Sequence, residues 1–439
     1  MEPSEGKGSK HVEAWECLNE TRPELAKEAP DMAMNLSHHM DLEWFEEAYR
    51  RTRKGGAVGV DGQSARQYGE RLAENLQELI DRAKSGQYRA PAVRRTYIPK
   101  DAGGTERRPI SIPTFEDKVL QRAVVMALEP VYEQDFLDCS YGFRPGRSAH
   151  QAIGRLREEL MTMGGGYIID LDIRRYFDTI DHRRIQEIFR RRVSDGVIVR
   201  LIGKWLNAGV MEQERITYPD SGVAQGAVVS PMLSNIYLHE VLDSWFEREV
   251  KPRMRGRAFM VRFADDAVLV FERRDDAERV MEVLAKRFAN YGLQLHEGKT
   301  RLVGFKRPGV GGVKPETFDF LGFTHFWAQP RRGNWVIKRK TAKDRFSRSL
   351  KRLSLWLRTV RHWPISEQHK VLCSKMRGHI QYYGITGNSE ALSRFVYGVR
   401  RLWRKWLGRR SYKARHDWEW FNTLCGRFPL PKPAVVHRC

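Results

Sequence analysis

The chain has 439 residues, of which 41% are apolar and 30% charged, with a formal net charge of +22; this length suits two or three domains with substantial cores. Residues 1–10 lack the apolar stretch of a secretory signal, and no run nears the roughly 18 apolar residues that span a bilayer, so a cytoplasmic protein without a membrane partner is expected. Five scattered cysteines (Cys17, Cys139, Cys373, Cys425, Cys439) make neither a disulfide framework nor a zinc-finger pair, and HExxH is absent.

In chain order, residues 1–36 are polar with little periodicity and read as a flexible tail. A helix is predicted from Leu42 to Arg53, ending at Gly55-Gly56, and another from Ser64 to Lys84, where Leu72, Leu76 and Ile80 step by four. A short strand ends at Ile98-Pro99-Lys100, a turn spans Asp101 to Thr105, and Phe115 to Phe136 reads as a helix. Tyr167 to Ile173 predicts a strand, with helices between Arg183 and Leu206. Two β runs, Phe259–Phe263 and Ala267–Phe271, flank Ala264-Asp265-Asp266 and predict a hairpin tipped by carboxylates. Asp275 to Tyr291 is helical, and Phe318 to Phe323 reads as one compact apolar strand. From Thr341 onward the pattern is helical, with one stripe through Phe346, Leu350, Leu353, Leu357 and Val360 and a second through Leu392, Phe395, Val399, Leu402 and Trp406. The predicted class is α+β followed by an all-helical basic region.

The charge is unevenly placed. Gln329 to Cys439 holds 27 Lys and Arg against 5 Asp and Glu, whereas the preceding residues hold 50 of each sign. All of the excess therefore sits in the last quarter, interleaved with Trp335, Trp356, Trp363, Trp403, Trp406, Trp418 and Trp420. A membrane-surface helix or a solvated face is the plainer explanation of such charge. Cations for phosphates beside rings that stack on bases suit RNA or single-stranded DNA better.

The carboxylates carry the chemistry. Joining a 3′-hydroxyl to a nucleotide calls for two hard cations about 4 Å apart, held by carboxylates from separate strands. Strand alternation puts Asp170 and Asp172 on one face, with Ile169, Leu171 and Ile173 on the other. Asp265 and Asp266 follow at the hairpin tip. Each pair alone is ordinary, since an Asp-Asp turn is usually turn chemistry. If strand and hairpin are sheet neighbours, the carboxylates meet. Gly298-Lys299-Thr300 superficially suggests a P-loop, but five residues rather than four separate its glycines, and it follows a helix instead of preceding one.

Arg262-Phe263-Ala264-Asp265-Asp266 resembles the palm signature of reverse transcriptases. Asp172-Ile173-Arg174-Arg175-Tyr176-Phe177-Asp178 is similar to the motif carrying the first metal aspartate in group II intron reverse transcriptases. Gly222-Val223-Ala224-Gln225-Gly226 with Ser230 to Asn235, Gly292 to Leu295 with Lys299-Thr300, and Phe320-Leu321-Gly322-Phe323 follow the same family in order, as do Ile98-Pro99-Lys100, Arg108-Pro109-Ile110 and Tyr141 to Ser148. The resemblance implies a right-hand polymerase, with a tail at 1–36, fingers and palm over 37–328, a basic helical thumb and maturase (X) domain over 329–410, and a short basic segment over 411–439. It further implies that Asp172, Asp265 and Asp266, with the Ile173 carbonyl, hold two Mg2+ ions. Lys100, Arg108, Gln225, Gly226 and Lys299 would contact the deoxynucleoside triphosphate, and Phe177 would reject a 2′-hydroxyl. Phe320, Leu321, Gly322 and Phe323 would grip the primer terminus. Phe263 and Ala224 stand where the family usually has Tyr and Pro, so altered fidelity or rate is expected rather than loss of activity.

Leu372 to Gly378 with Gln381-Tyr382-Tyr383-Gly384 resembles the maturase domain, which implies binding of intron RNA, help in its splicing, reverse transcription from an RNA template with a DNA primer, and insertion into target DNA. Arg144, Arg147, Arg345, Arg348, Lys351, Arg352, Arg377, Arg400, Arg401, Arg404 and Lys405 are the expected RNA or DNA contacts. No paired cysteine and histidine cluster follows, so an endonuclease is not expected. Two alternatives stay open: an RNA-binding splicing cofactor without catalysis, and a reverse transcriptase recruited to defence or repair.

Overall fold

The computed structural model describes residues 36–99, 107–309, 315–329, 333–411 and 416–438. The tail expected at 1–36 lies outside this set apart from Leu36, which is buried. Among the described residues the structure is α+β, with three small sheets and many helices. Among the described residues no helix is long and apolar enough to cross a membrane.

At the N-terminal end, α1 (Leu42–Arg51) and α3 (Leu72–Ser85) pack together, with α1 against α4 (Phe115–Glu133). The short α2 (Ala65–Gly69) opens with Ser64 and Gln67 capping each other's backbone reciprocally, and Gly86, left-handed at φ 82°, closes α3. Beside them β1 (Val93–Pro99) pairs antiparallel with β2 (Arg107–Ile112) and parallel with β4 (Val210–Glu212), which turns into β5 (Arg215–Thr217). Sequence reading missed the β4–β5 hairpin, whose strands are too short to show a pattern.

The central sheet runs β6-β7-β3-β8, all antiparallel. Its strands are β3 (Tyr167–Leu171), β6 (Ala258–Phe263), β7 (Asp266–Phe271) and β8 (Arg301–Gly304). Successive side chains feed different cores, as a pleat requires. Ile168, Val268 and Val270 join Ile153, Leu156 and Leu160 of α5 (Ala149–Met163) in one core. Ile169, Leu269 and Phe271 join Leu284 and Phe288 of α10 (Arg274–Ala289) in the other. The sheet is thus covered on both faces, and polar groups are left to its strand ends. One charge pair is sealed inside: Arg262 of β6 meets Asp243 at 2.5 Å, and both side chains are 0% exposed. Asp243 lies on the wide-turned continuation of α9 (Ser230–Leu238).

Phe318 to Phe323 is not one strand. Leu321 (φ 49°) and Gly322 (φ 79°) are both left-handed and fold it into a two-residue turn between β9 (Phe318–Phe320) and β10 (Phe323–Ala328). β10 pairs onward with β11 (Val336–Thr341), so the helical region begins at Lys343 and the sheet extends past the boundary expected at 328.

Within this third sheet His325 is fully buried, stacked on Phe318 at 4.7 Å, and neither ring nitrogen has a hydrogen-bond partner among the described residues. Burial, with the Arg339 charge opposite adding to it, pushes the imidazole down to about 3. The unfolded chain therefore takes up a proton more readily than the folded one, and stability falls as pH drops from 6.5 toward 3. Between pH 7.5 and pH 5 this group alone removes about 2 kcal/mol. In His325→Phe that loss disappears, which urea unfolding at the two pH values measures. An unchanged pH dependence in the variant would rule out His325 as its source.

Helices α7 (His182–Arg190) and α8 (Gly196–Leu206) precede β4, and after β11 come α11 (Lys343–Thr359), α12 (Ile365–Tyr383), α13 (Ser389–Leu407) and α14 (Trp418–Arg427). These last four share a core around Trp403, Phe395, Leu357 and Leu372. Phe421 and Leu424 of α14 belong to it, so the segment after 410 is part of the same helical unit. The chain then returns to α12, where Val436 N donates to the Gly384 carbonyl at 2.6 Å.

Candidate active site

The carboxylates come together because β3 and β7 are neighbours: Asp170 pairs with Val268 and Leu171 with Ala267, which brings the end of β3 beside the β6–β7 turn. In that turn Phe263 pairs with Asp266, leaving Ala264 and Asp265 as the two turn residues, and Ala264 is left-handed at φ 57°. Asp170, Asp172, Asp265 and Asp266 line one open cleft of ≈810 Å³. The β9–β10 turn forms part of its wall through Phe320, Leu321 and Gly322, and the helical unit supplies Arg345, Tyr382 and Tyr383.

Asp172 is held by its backbone: its carbonyl accepts from His296 N at 2.9 Å and from Thr300 Oγ1 at 3.2 Å. Its carboxylate faces Lys299 Nζ at 3.1 Å, and Asp170 faces Arg301 Nε at 3.4 Å. Both are half-exposed pairs, cheap to break when a ligand competes. Burial holds the Asp265 carboxyl above its ordinary range, with Asp172 adding to the rise while its own backbone N–H and Arg108 oppose it. Asp266 opens onto the cleft but is crowded by protein, and this crowding, with the charges of Asp265 and Asp172, pushes it up to about 6. Burial also raises Asp170, against the pull of Arg301. Like charges gathered in a low-dielectric cleft favour any ligand that brings positive charge.

Several other expected residues lie around this floor. Arg108 is exposed on β2, near enough to affect Asp265. Ser111 of β2 donates its N–H to the Gln225 carbonyl at 2.7 Å, and a Cβ on Gly226 (φ 112°) would meet the Ser111 oxygen at 2.7 Å. Glycine at 226 thus lets the loop lie on β2. Phe177, in the short α6 (Tyr176–Thr179), takes the Val223 N–H on its carbonyl at 2.7 Å and sets its ring against Tyr176. The Ile173 side chain is buried in the core, and its backbone bridges to Leu295. Lys100 lies outside the described residues.

Two expectations need correction. Arg144 is not available to nucleic acid: it is buried, and each guanidinium nitrogen is engaged by Glu133 or by the carbonyls of Leu137, Ser140 and Phe136. Phe323 is wholly buried against Tyr382 and Tyr383, because the turn at 321–322 sends it inward; it supports the turn from behind. Arg147 is paired with Asp138 at 2.6 Å. Arg400 donates to Asn422 Oδ1 and Arg404 to the His416 carbonyl, so both are partly spent within the fold. Arg345, Lys351, Arg352, Arg377, Arg401 and Lys405 are exposed on the helical unit, and Arg348 is half-buried beside Asp344. The sequence reading missed Tyr382 and Tyr383 as cleft residues. Tyr382 donates its hydroxyl to the Leu321 carbonyl at 2.9 Å, a contact across 61 residues that no local pattern announces.

Comparison with known proteins agrees with this geometry. "Protein YkfC" of Escherichia coli (strain K12) is 42% identical over 219 residues, covering 48% of this chain and 57% of that protein. "Group II intron-encoded protein LtrA" of Lactococcus lactis subsp. cremoris is 38% identical over 187 residues, 41% of this chain and 31% of the relative. "Uncharacterized 91 kDa protein in cob intron" of Schizosaccharomyces pombe is 24% identical over 446 residues, covering 85% of this chain and 54% of its own length. The chain thus spans between 31% and 57% of these relatives. Residues 98–325, which contain Asp170, Asp172, Asp265 and Asp266, match the family described as reverse transcriptase (RNA-dependent DNA polymerase), and the chain belongs to that family.

Proposed function

We propose that the protein is an RNA-templated DNA polymerase of the group II intron kind, which binds intron RNA, assists its splicing and copies it into DNA at a target site. The observation that carries this reading is the meeting of Asp172, just past the end of β3, and Asp265, in the β6–β7 turn beside it, on the floor of an open cleft walled in part by a basic helical unit. In this reading the sheets and N-terminal helices are fingers and palm, and the helices from Lys343 are thumb and maturase domain.

The donor set fits a hard divalent cation, for which we propose Mg2+: crowded carboxylate oxygens, two of them above their ordinary pKa range, whose repulsion a cation would relieve. Among the described residues no three side chains of the metal-binding type already surround one point, so phosphate and backbone oxygens would complete the shell. When bound, such ions would make the primer hydroxyl more acidic and neutralise the departing pyrophosphate. The protein's own groups do the rest. Arg108 and Lys299, with Lys100, supply fixed positive charge for the triphosphate. Gln225 and Gly226 back the nucleotide, and the turn at Phe320 to Gly322 steadies the primer end. Exposed cations from Arg345 to Lys405 hold nucleic acid by its backbone.

Primer extension on an RNA template with deoxynucleotides and Mg2+ tests the reading. Product is expected; its absence with RNA binding and splicing intact would favour the splicing cofactor. Phe177 should set sugar selectivity. Phe177→Val is expected to raise ribonucleotide use relative to deoxynucleotide use by about a hundredfold, roughly 3 kcal/mol of lost discrimination. Competition assays with paired nucleotides read this ratio, and an unchanged ratio would remove Phe177 from the role.

A further inference from the structure

Resting on the polymerase reading, we propose that Arg262 is a positioning residue: its guanidinium fixes the left-handed Ala264 and so sets where the Asp265 carboxylate stands, while Asn235 ties the 139–142 segment to the same turn.

The buried guanidinium has three jobs. Nε and Nη2 take both oxygens of Asp243, at 2.7 and 2.5 Å. That pairing alone satisfies its charge. Nη1 reaches further, to the Ala264 carbonyl at 3.0 Å and to Asn235 Oδ1 at 3.0 Å. Ala264 precedes Asp265 and has a positive φ that a non-glycine residue adopts only when held there. The bond to its carbonyl holds that peptide, and with it the direction in which Asp265 leaves the turn.

Asn235 brings in a third segment. Its Nδ2 donates to the Gly142 carbonyl at 2.7 Å. Around it Arg262 N donates to the Cys139 carbonyl at 2.7 Å, and Tyr141 N to the Arg262 carbonyl at 2.9 Å. Residues 139–142 therefore lie along β6, so close that a Cβ on Gly142 would sit 2.2 Å from Ala264 N. The catalytic turn is clamped on one side by this backbone and on the other by Arg262. A lysine could pair with Asp243, but its single ammonium lacks the planar fork that spans all three partners.

Arg262→Lys is the obvious variant, although it risks the fold. Asn235→Ala is the cleaner one, because it leaves the Arg262–Asp243 pair in place and removes both the Gly142 tie and the second acceptor that aims Nη1 at the Ala264 carbonyl. In Asn235→Ala, kcat for single-nucleotide extension is expected to fall about 10- to 100-fold, the scale of a displacement near 1 Å at reacting groups. The deoxynucleotide KM and RNA affinity should hold, and the Mg2+ concentration for half-maximal rate should rise. Hydrogen exchange in the metal-free protein should quicken at the 264–266 amides while the rest of β6 and β7 keeps its protection. Wild-type kcat, cation requirement and exchange in folded Asn235→Ala would overturn the proposal, as would exchange quickened evenly along the hairpin with a lowered melting temperature. If the wild-type protein extends no primer, the polymerase reading fails on its own, and the local exchange pattern still decides whether Arg262 and Asn235 hold the turn.

Discussion

Asp265→Asn is expected to cut primer extension by about a thousandfold or more, roughly 4 kcal/mol of transition-state stabilisation, while RNA affinity stays within a few-fold of wild type. Asparagine keeps the shape of the side chain but not the charge that would hold a cation. The affinity should survive because the exposed cations on α11, α12 and α13 lie on other elements. Nor should the fold suffer, since the Asp265 carboxyl already sits above its ordinary range, which marks its charge as unfavourable in the cation-free cleft. Single-turnover extension and RNA titration in parallel give the answer. Activity within tenfold of wild type would move the chemistry away from the hairpin, and equal loss of extension and binding would mean the two are not separable.

Asp243→Ala is expected to destabilise the protein by about 3 to 5 kcal/mol, because it strands the Arg262 guanidinium without its carboxylate at a site with no solvent access. Against a typical net stability of about 5 to 15 kcal/mol that is a large share. Urea unfolding measures it, and a cost below about 1 kcal/mol would show that water or a rearranged partner reaches the site. Asp243→Leu combined with Arg262→Met should recover much of the stability, since apolar replacement of a whole buried pair is often neutral or better. It should not recover activity, because methionine cannot bind the Ala264 carbonyl.

How much could be read in advance depended on whether a feature was local. The hairpin around Asp265 and β3 were both legible as short apolar runs, because their strands are buried on both faces over most of their length. The neighbouring of the two strands could only be stated as a condition. The turn at Leu321-Gly322 was hidden, since a lone glycine in an apolar run looks like a packed strand residue, and only two positive φ angles reveal the fold-back. Arg144 misled for a related reason: sequence shows a charge, not which carbonyls take up its N–H groups. The Tyr382–Leu321 contact belongs to tertiary packing and left no trace in spacing.

That contact bears on whether the chain can be divided. Thr341, the last residue of β11, exchanges two hydrogen bonds with Asn388 on the far side of α12, each 2.9 Å. Tyr382 meanwhile bonds the turn that lines the cleft, and Phe323 owes its burial partly to Tyr382 and Tyr383. A fragment ending at Thr341 would expose these aromatic surfaces and leave the turn without its outer support. The helical unit therefore completes the cleft as well as carrying the charge, and trimming it would also disturb the bonds that hold the turn at Leu321-Gly322.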